Sequence, residues 1–352
     1  MKFGIFDYID QRSEPLHKMY DQRMTLLKAA EDAGFYGYHV TEHHMTPLST
    51  TPSPSVFLAA AARETKRIRL GALLYLLPLY HPLRLLEEIC MLDHLSGGRL
   101  DFGVGRGVAP PEFAAFDIDI GRSQQDYEHA LAVLLQGFTR DRIDYKYDRY
   151  HFKDVPVAMR PLQHPYPPLW YGLRGDTGPV FAAKHGMNGV TLGPDDMCAA
   201  ALAAFRKHWI TYADDRKQFN SPVQAPMVGV MRTMFIADSD AEANRIAGPA
   251  YAHWYDALGW LWEKRGIALP ISIPKDFEKA KETGALVVGS PDTVARIFER
   301  QSQQIRQNYL VLMLAFGTLT HAQEMQSLEL FRREVMPRLA GLNEETAATA
   351  AA

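Results

Sequence analysis

The stretch IRLGALLYLLPLYHPLRLLEEICMLDHLSGGRLDFGVGRG, residues 68–107, carries one full repeat of the organisation that runs through the chain. IRLGALLYL (68–76) is short and apolar and reads as a buried strand. His81-Pro82 leads into a helix reaching Leu95, and GRLDFGVG (98–105) is the next strand. Strand, crossover helix and strand in that order imply parallel pairing.

The same rhythm extends in both directions. KFGIFD (2–7) precedes a helix at 16–33 with Leu16, Met19, Tyr20, Leu27, Ala30 and Ala33 at helical spacing, closed by Gly34. FYGYHV (35–40) is the second strand, and a helix at 54–65 opens with Pro54, whose missing N–H is harmless in a first turn. Beyond residue 107, a helix at 123–138 and the strands 168–172, 187–192, 225–236 and 308–314 follow. Their helices run to about 184 and span 194–211, 239–257, 291–303 and 321–336, the last stopping at Pro337. Eight strands alternate with helices, which leaves a doubly wound sheet or a closed barrel, and a count of eight favours the barrel. The expectation is an α/β fold, a single (β/α)8 TIM barrel over residues 1–340, with a disordered tail at 341–352. Two segments interrupt it: 141–166, which reads as an extra strand or a hairpin, and 258–284.

Of the 352 residues 47% are hydrophobic and 22% charged, and the net charge is −3, which provides no electrostatic footprint for nucleic acid or an anionic membrane. The first residues lack the basic-then-apolar pattern of a signal peptide, and the longest apolar run, around 70–79, is about half the length of a membrane span. Cys90 and Cys198 lie far apart inside helical patterns and read as buried thiols. A cytoplasmic protein is expected.

Barrel enzymes keep their chemistry at the C-terminal ends of the strands. There stand Thr41-Glu42-His43-His44, Leu73-Leu74-Tyr75, Gly105-Arg106-Gly107, Leu173 to Thr177, and Leu192-Gly193-Pro194. In extended chain neighbouring side chains diverge, so one histidine of the pair faces the site and no metal centre is expected. A histidine there suits proton transfer near neutral pH, or it is held by loop hydrogen bonds alone. Gly103-Val104-Gly105-Arg106-Gly107 is GxGxG, not a dinucleotide fingerprint, and Pro110-Pro111 interrupts the helix a pyrophosphate would need. Its arginine suits a phosphate, or the loop is a tight turn with a solvated side chain. LRGDTG (173–178) opens a helix whose free N–H groups, with Thr177 and Arg174, form a candidate anion site; an ordinary helix start capped by Asp176 is the other reading. Two such sites on neighbouring strands suggest one monophosphate.

EHH at 42–44, PLYHPLRLLEE…LDHLSGGRLDFGVGRG at 78–107, HWYD at 253–256, VGSPD at 288–292 and EVMPRL at 334–339 resemble the bacterial-luciferase-like flavin-dependent monooxygenases. The resemblance implies the luciferase-type barrel and flavin mononucleotide (FMN), used as reduced FMNH2. It implies that His43 acts on the reduced flavin and its oxygen adduct, and that Arg106 grips the flavin phosphate. Leu173, Arg174, Gly175 and Thr177 fall on the phosphate loop, with Leu192 and Gly193 beside them on the rim. Leu73 and Leu74 align with a non-proline cis peptide beneath the flavin ring. Gly105 stands where the luciferases carry a reactive cysteine and Ala109-Pro110-Pro111 replaces polar residues, so the substrate side is remodelled, while on the phosphate loop Leu173 and Arg174 replace small polar residues.

The resemblance implies a two-component monooxygenase. A separate NAD(P)H:flavin reductase supplies reduced FMN, O2 adds at the flavin C4a to give a peroxide, and a small hydrophobic substrate is oxygenated. It also implies a homodimer, formed through the region of helix 54–65 with its Ala59–Ala62 face. The rivals are a deazaflavin-dependent dehydrogenase or reductase on the same barrel and a non-catalytic flavin-binding protein. The latter needs neither His43 nor the segment 258–284, which reads as a mobile lid over the rim.

Overall fold

The computed structural model describes residues 1–342, so the expected disorder beyond 342 lies outside the described residues. Eight parallel strands close into a barrel: Lys2–Asp7, Gly37–Val40, Arg69–Leu76, Leu100–Gly105, Leu169–Gly172, Asn188–Thr191, Val228–Ile236 and Tyr309–Met313. These are the eight strands that the sequence pattern predicts. A ninth, Leu286–Gly289, was not expected; it pairs in parallel with the outer half of Val228–Ile236. The segment 141–166 contains an antiparallel hairpin, Arg142–Tyr147 with Tyr150–Pro156.

Alternation along each strand divides the apolar side chains into two sets. Phe3, Ile5, Tyr38, Val40, Leu310 and Leu312 face the helices, whereas Phe6, Tyr8, Val311 and Met313 face the barrel interior. The interior floor is built from large rings over glycines. Tyr309 Oη lies 2.7 Å from His39 Nε2, and Trp170 packs 5.4 Å from the Tyr309 ring. A Cβ on Gly4 would stand 1.8 Å from Tyr309 Oη, so only glycine fits beneath that ring. Burial of the His39 ring lowers its pKa to about 4, which keeps the ring itself neutral near pH 7.

Helix ends follow from local chemistry. Gly34, at φ +83°, ends the helix Leu16–Asp32 in the left-handed conformation the sequence called for. The helix Asp240–Glu263 runs six residues past the expected stop at 257, through Pro249 and Gly259. Trp254, Leu258 and Trp262, four residues apart, bury one continuous face, and that burial outweighs the ~1 kcal/mol cost of an interior glycine. The final helix passes its expected stop at Pro337 and reaches Leu339. A π turn at Phe331–Val335 resets the hydrogen-bond register, so that Pro337 falls in the first turn of the last segment, where it needs no donor.

Both cysteines are buried and free. Among the described residues, no helix is long and apolar enough to cross a membrane.

Candidate active site at the barrel mouth

The second strand ends at Val40, and Thr41 to Thr51 continue as a loop across the C-terminal mouth. Two carboxylates hold the histidine pair in this loop. His43 Nδ1 lies 3.1 Å from Glu112 Oε1, and the His44 backbone N–H donates to that same oxygen at 2.8 Å. His44 turns the other way, with its Nε2 3.0 Å from Glu42 Oε1. Glu42 Oε2 in turn accepts from the Leu76 N–H at 3.2 Å and from Tyr80 Oη at 2.9 Å. Burial raises the Glu42 pKa above the ordinary carboxylate range, although His44, Tyr80 and the Leu76 N–H all oppose it. Divergence of the two imidazoles, expected from extended geometry, is what the loop displays.

Glu112 is the residue that sequence reasoning missed. Pro110 and Pro111, read in the sequence as breaking a helix, instead start one, Pro110–Ala115, at positions where proline needs no donor. That short helix carries Glu112 into full burial against the histidine loop. On its other face the His43 ring stacks on Tyr8, centroids 5.9 Å apart and planes 24° apart. Tyr8 contacts Trp254 at 6.0 Å, and both belong to the inner apolar cluster with Leu48 and Leu73.

The peptide between Leu73 and Leu74 is cis, and the pairing register with the fourth strand shifts between Ala72 and Tyr75. The successive side chains Leu73 and Leu74 both pack on the interior cluster, and Tyr75 belongs to the outer core. Glycines make the room. A Cβ on Gly103 would stand 2.1 Å from the Ala72 carbonyl and one on Gly105 2.8 Å from Leu74 Cδ1, while Gly172 faces the same leucine at 3.7 Å. The third, fourth and fifth strands therefore leave Leu74 room to pack directly on backbone.

The predicted anion-binding residues follow the last two of these strands. Arg106 is exposed, with Nη1 3.2 Å from Ser123 Oγ at the start of helix Ser123–Thr139. It is near enough to Tyr171 to oppose the upward shift that burial gives that phenol. Thr177 begins the helix Thr177–Lys184, and Asp176 supplies no side-chain cap. Gly175, at φ +59°, is exposed and has open space where a Cβ would be. Leu173 contributes backbone alone, because its buried side chain packs against Gly189 in the outer core. Leu192 is half-buried against the inner cluster. Gly193 is held from below: its carbonyl accepts at 2.9 Å from Arg232, a buried guanidinium paired with Asp195 at 2.7 Å.

Arg174 also has a partner within the chain. Its guanidinium donates to the Pro270 carbonyl, in the strap that follows the long helix. Tyr255 Oη donates to the Ile273 carbonyl at 3.1 Å and Tyr251 Oη to that of Pro274, while Leu269 and Ile271 pack on the inner cluster. The strap lies over the mouth on the side of the Leu173–Thr177 loop. Beside it, a groove of about 350 Å3 is lined by Gln11, Met45, Thr46, Pro47 and Trp260.

A histidine paired with a buried carboxylate, at the C-terminal mouth of a closed eight-stranded barrel, has the layout of a barrel enzyme. The family model described as luciferase-like monooxygenase matches residues 1–307, and the chain belongs to that family. The chain is 34% identical to the uncharacterized protein y4wF of Sinorhizobium fredii, covering 96% of this chain and 97% of that one. It is 25% identical to the oxygenase component of the flavin-dependent trigonelline monooxygenase of Acinetobacter baylyi, covering 77% and 76%. Three solved structures share the fold. The monooxygenase RslO1 of Streptomyces bottropensis has a TM-score of 0.84 at 23% identity, covering 96% of this chain and 99% of that one. The oxygenating constituent of 3,6-diketocamphane monooxygenase of Pseudomonas putida, in complex with FMN, has a TM-score of 0.75 at 21% identity, covering 96% and 98%. An F420-dependent secondary alcohol dehydrogenase has a TM-score of 0.72 at 15% identity, covering 96% and 98%.

Proposed function

We propose that this luciferase-like monooxygenase is the oxygenating component of a two-component system, using reduced FMN and O2 to oxygenate a small hydrophobic molecule. The observation that carries the reading is the convergence on one barrel mouth of the Glu112-paired His43, the exposed Arg106 and the uncapped helix start at Thr177. A flavin phosphate would reach Arg106 and that helix start, and Leu74, seated over Gly103, Gly105 and Gly172, would meet its ring system. In this reading Leu73, Leu74, Arg106, Arg174, Gly175, Thr177, Leu192, Gly193 and the Leu173 backbone hold the cofactor. The flavin supplies the oxygen-activating chemistry when bound.

The chain's own residues do the rest. His43, oriented by Glu112 and Tyr8, accepts or returns a proton at Nε2. Leu48, Leu73, Tyr8 and Trp254 keep water from the mouth and provide an apolar wall for substrate. The strap that Arg174 holds serves as the lid. Exposed Met45, Val108, Phe116, Trp260 and Ile267 give the rim an apolar character suited to a hydrophobic substrate. Residues 1–340 act as one domain in this reading, working in the cytoplasm.

The reductase partner is inferred from the trigonelline relative, whose name marks it as an oxygenase component. Homodimerisation is supported by Val56 on one helix and Met91 and Leu95 on its neighbour, all exposed.

Binding tests the cofactor reading. Arg106→Ala is expected to weaken FMN binding by about 10- to 150-fold, the value of one charge-assisted contact of ~1.5–3 kcal/mol. Riboflavin, which lacks the phosphate, should bind the variant and the parent alike. Fluorescence titration of both ligands decides it, and an equal loss for both would make Arg106 structural.

A further inference from the structure

We propose that Glu112 is a positioning residue that fixes His43 in the Nδ1–H tautomer and leaves Nε2 as a free lone pair for accepting protons. Oε1 of Glu112 receives both the His44 backbone N–H, at 2.8 Å, and the His43 ring nitrogen Nδ1, at 3.1 Å. A backbone N–H can only donate, so Oε1 is an acceptor. A carboxyl proton, if present, would sit on the other oxygen and could not reach Nδ1 through Oε1. The hydrogen between Oε1 and Nδ1 therefore belongs to the imidazole, and in the neutral ring Nε2 is unprotonated.

Burial makes the assignment consequential. The Glu112 side chain is 2% exposed, so its carboxylate depends on these two donors in place of water. The His43 side chain is 27% exposed, and Tyr8 covers one face of the ring. The second carboxylate–histidine pair, Glu42 with His44, anchors the next residue of the loop to Leu76 and Tyr80. The His44 amide is therefore already fixed where Glu112 meets it. Glu112 reads the loop backbone and the ring with one oxygen, which locks ring orientation to loop position.

This inference rests on the placement of the active site at His43, but its test requires no cofactor. Nitrogen-15 NMR of the isolated protein, at a pH above the ordinary histidine pKa of about 6.5, reports which ring nitrogen carries hydrogen, with His43→Gln assigning the signal. The parent should show a pyrrole-type Nδ1 and a pyridine-type Nε2. Glu112→Leu removes the shared acceptor, so the signals should move toward the Nε2–H form. Glu112→Gln, whose amide oxygen accepts from the His44 N–H and from Nδ1–H alike, should retain the parent tautomer. Oxygenation should fall by ~10²-fold in Glu112→Leu and recover in Glu112→Gln, with FMN affinity unchanged in both. A parent ring in the Nε2–H form, or identical tautomers in the parent and Glu112→Leu, would overturn the proposal. Failure of FMN to bind the parent would instead strike the cofactor reading and leave the tautomer result standing.

Discussion

His43→Ala is expected to fold and to bind FMN as the parent does, yet to lose product formation by ~10²–10⁴-fold, the usual contribution of a positioned acid–base group. Folding should survive because the ring is partly exposed and Glu112 keeps the His44 N–H as a partner. FMN binding should survive because the contacts proposed for the cofactor are at Leu74, Arg106 and the helix start at Thr177, not on His43. Oxygen should still be consumed, since the flavin reacts with it independently of the imidazole, but the oxidising equivalents should leave as hydrogen peroxide. Parallel assays of O2 uptake, peroxide and oxygenated product separate these outcomes. A variant with parental product yield would remove His43 from the chemistry.

Arg23→Met should carry the largest stability loss, about 3–5 kcal/mol, because it breaks a buried ion pair by removing one side of it. Arg23 is 1% exposed; its Nε lies 3.0 Å from Asp7 and its Nη1 2.8 Å from Glu324. Asp7 also accepts from Tyr38 Oη at 2.5 Å, and Arg12 shares Glu324, so the cluster ties the last helix to the first strand. The pH dependence has a definite sign. Burial pushes the Glu324 pKa upward, but Arg23, His321 and Arg12 outweigh it and hold the carboxyl below its ordinary value. A depressed carboxylate stabilises the fold above its unfolded pKa of about 4.3, and that stability is lost as pH falls through the folded value. In Arg23→Met burial wins, the Glu324 pKa rises, and acid relieves the variant by neutralising the carboxylate. Urea unfolding should therefore show the gap between parent and variant narrowing from pH 7 toward pH 4.5. A gap that widens in acid would contradict this assignment of charges.

The barrel was legible because its strands are short apolar runs punctuated by glycine and proline, and each predicted strand takes its place in the closed sheet. The strand Leu286–Gly289 escaped because four residues, LVVG, carry too little pattern beside the helices flanking them. The helix expected to stop at 257 runs on to Glu263 because the packing of Trp262 outweighs the cost of Gly259. At the site, the sequence placed His43, Arg106 and the Leu173–Thr177 loop on one rim, since strand ends in a barrel converge whatever their spacing in the chain. It could not show that Glu112 turns back onto His43. The contact joins residues 69 positions apart, and the two prolines before Glu112 look like a break until their helix is seen. Nor could the sequence show that Arg174 donates to the Pro270 carbonyl, a partner 96 residues away that no local pattern announces.

The central claim is that reduced FMN, not a deazaflavin, is the working cofactor, and both chemistries occur among the structural neighbours. The most direct measurement is anaerobic titration of the protein with reduced FMN and with reduced F420, followed by mixing each complex with O2. Reduced FMN should bind the more tightly, and its complex mixed with O2 and a panel of apolar substrates should give oxygenated product. Preferential binding of F420, with the FMN complex giving hydrogen peroxide and no oxygenated product, would contradict this.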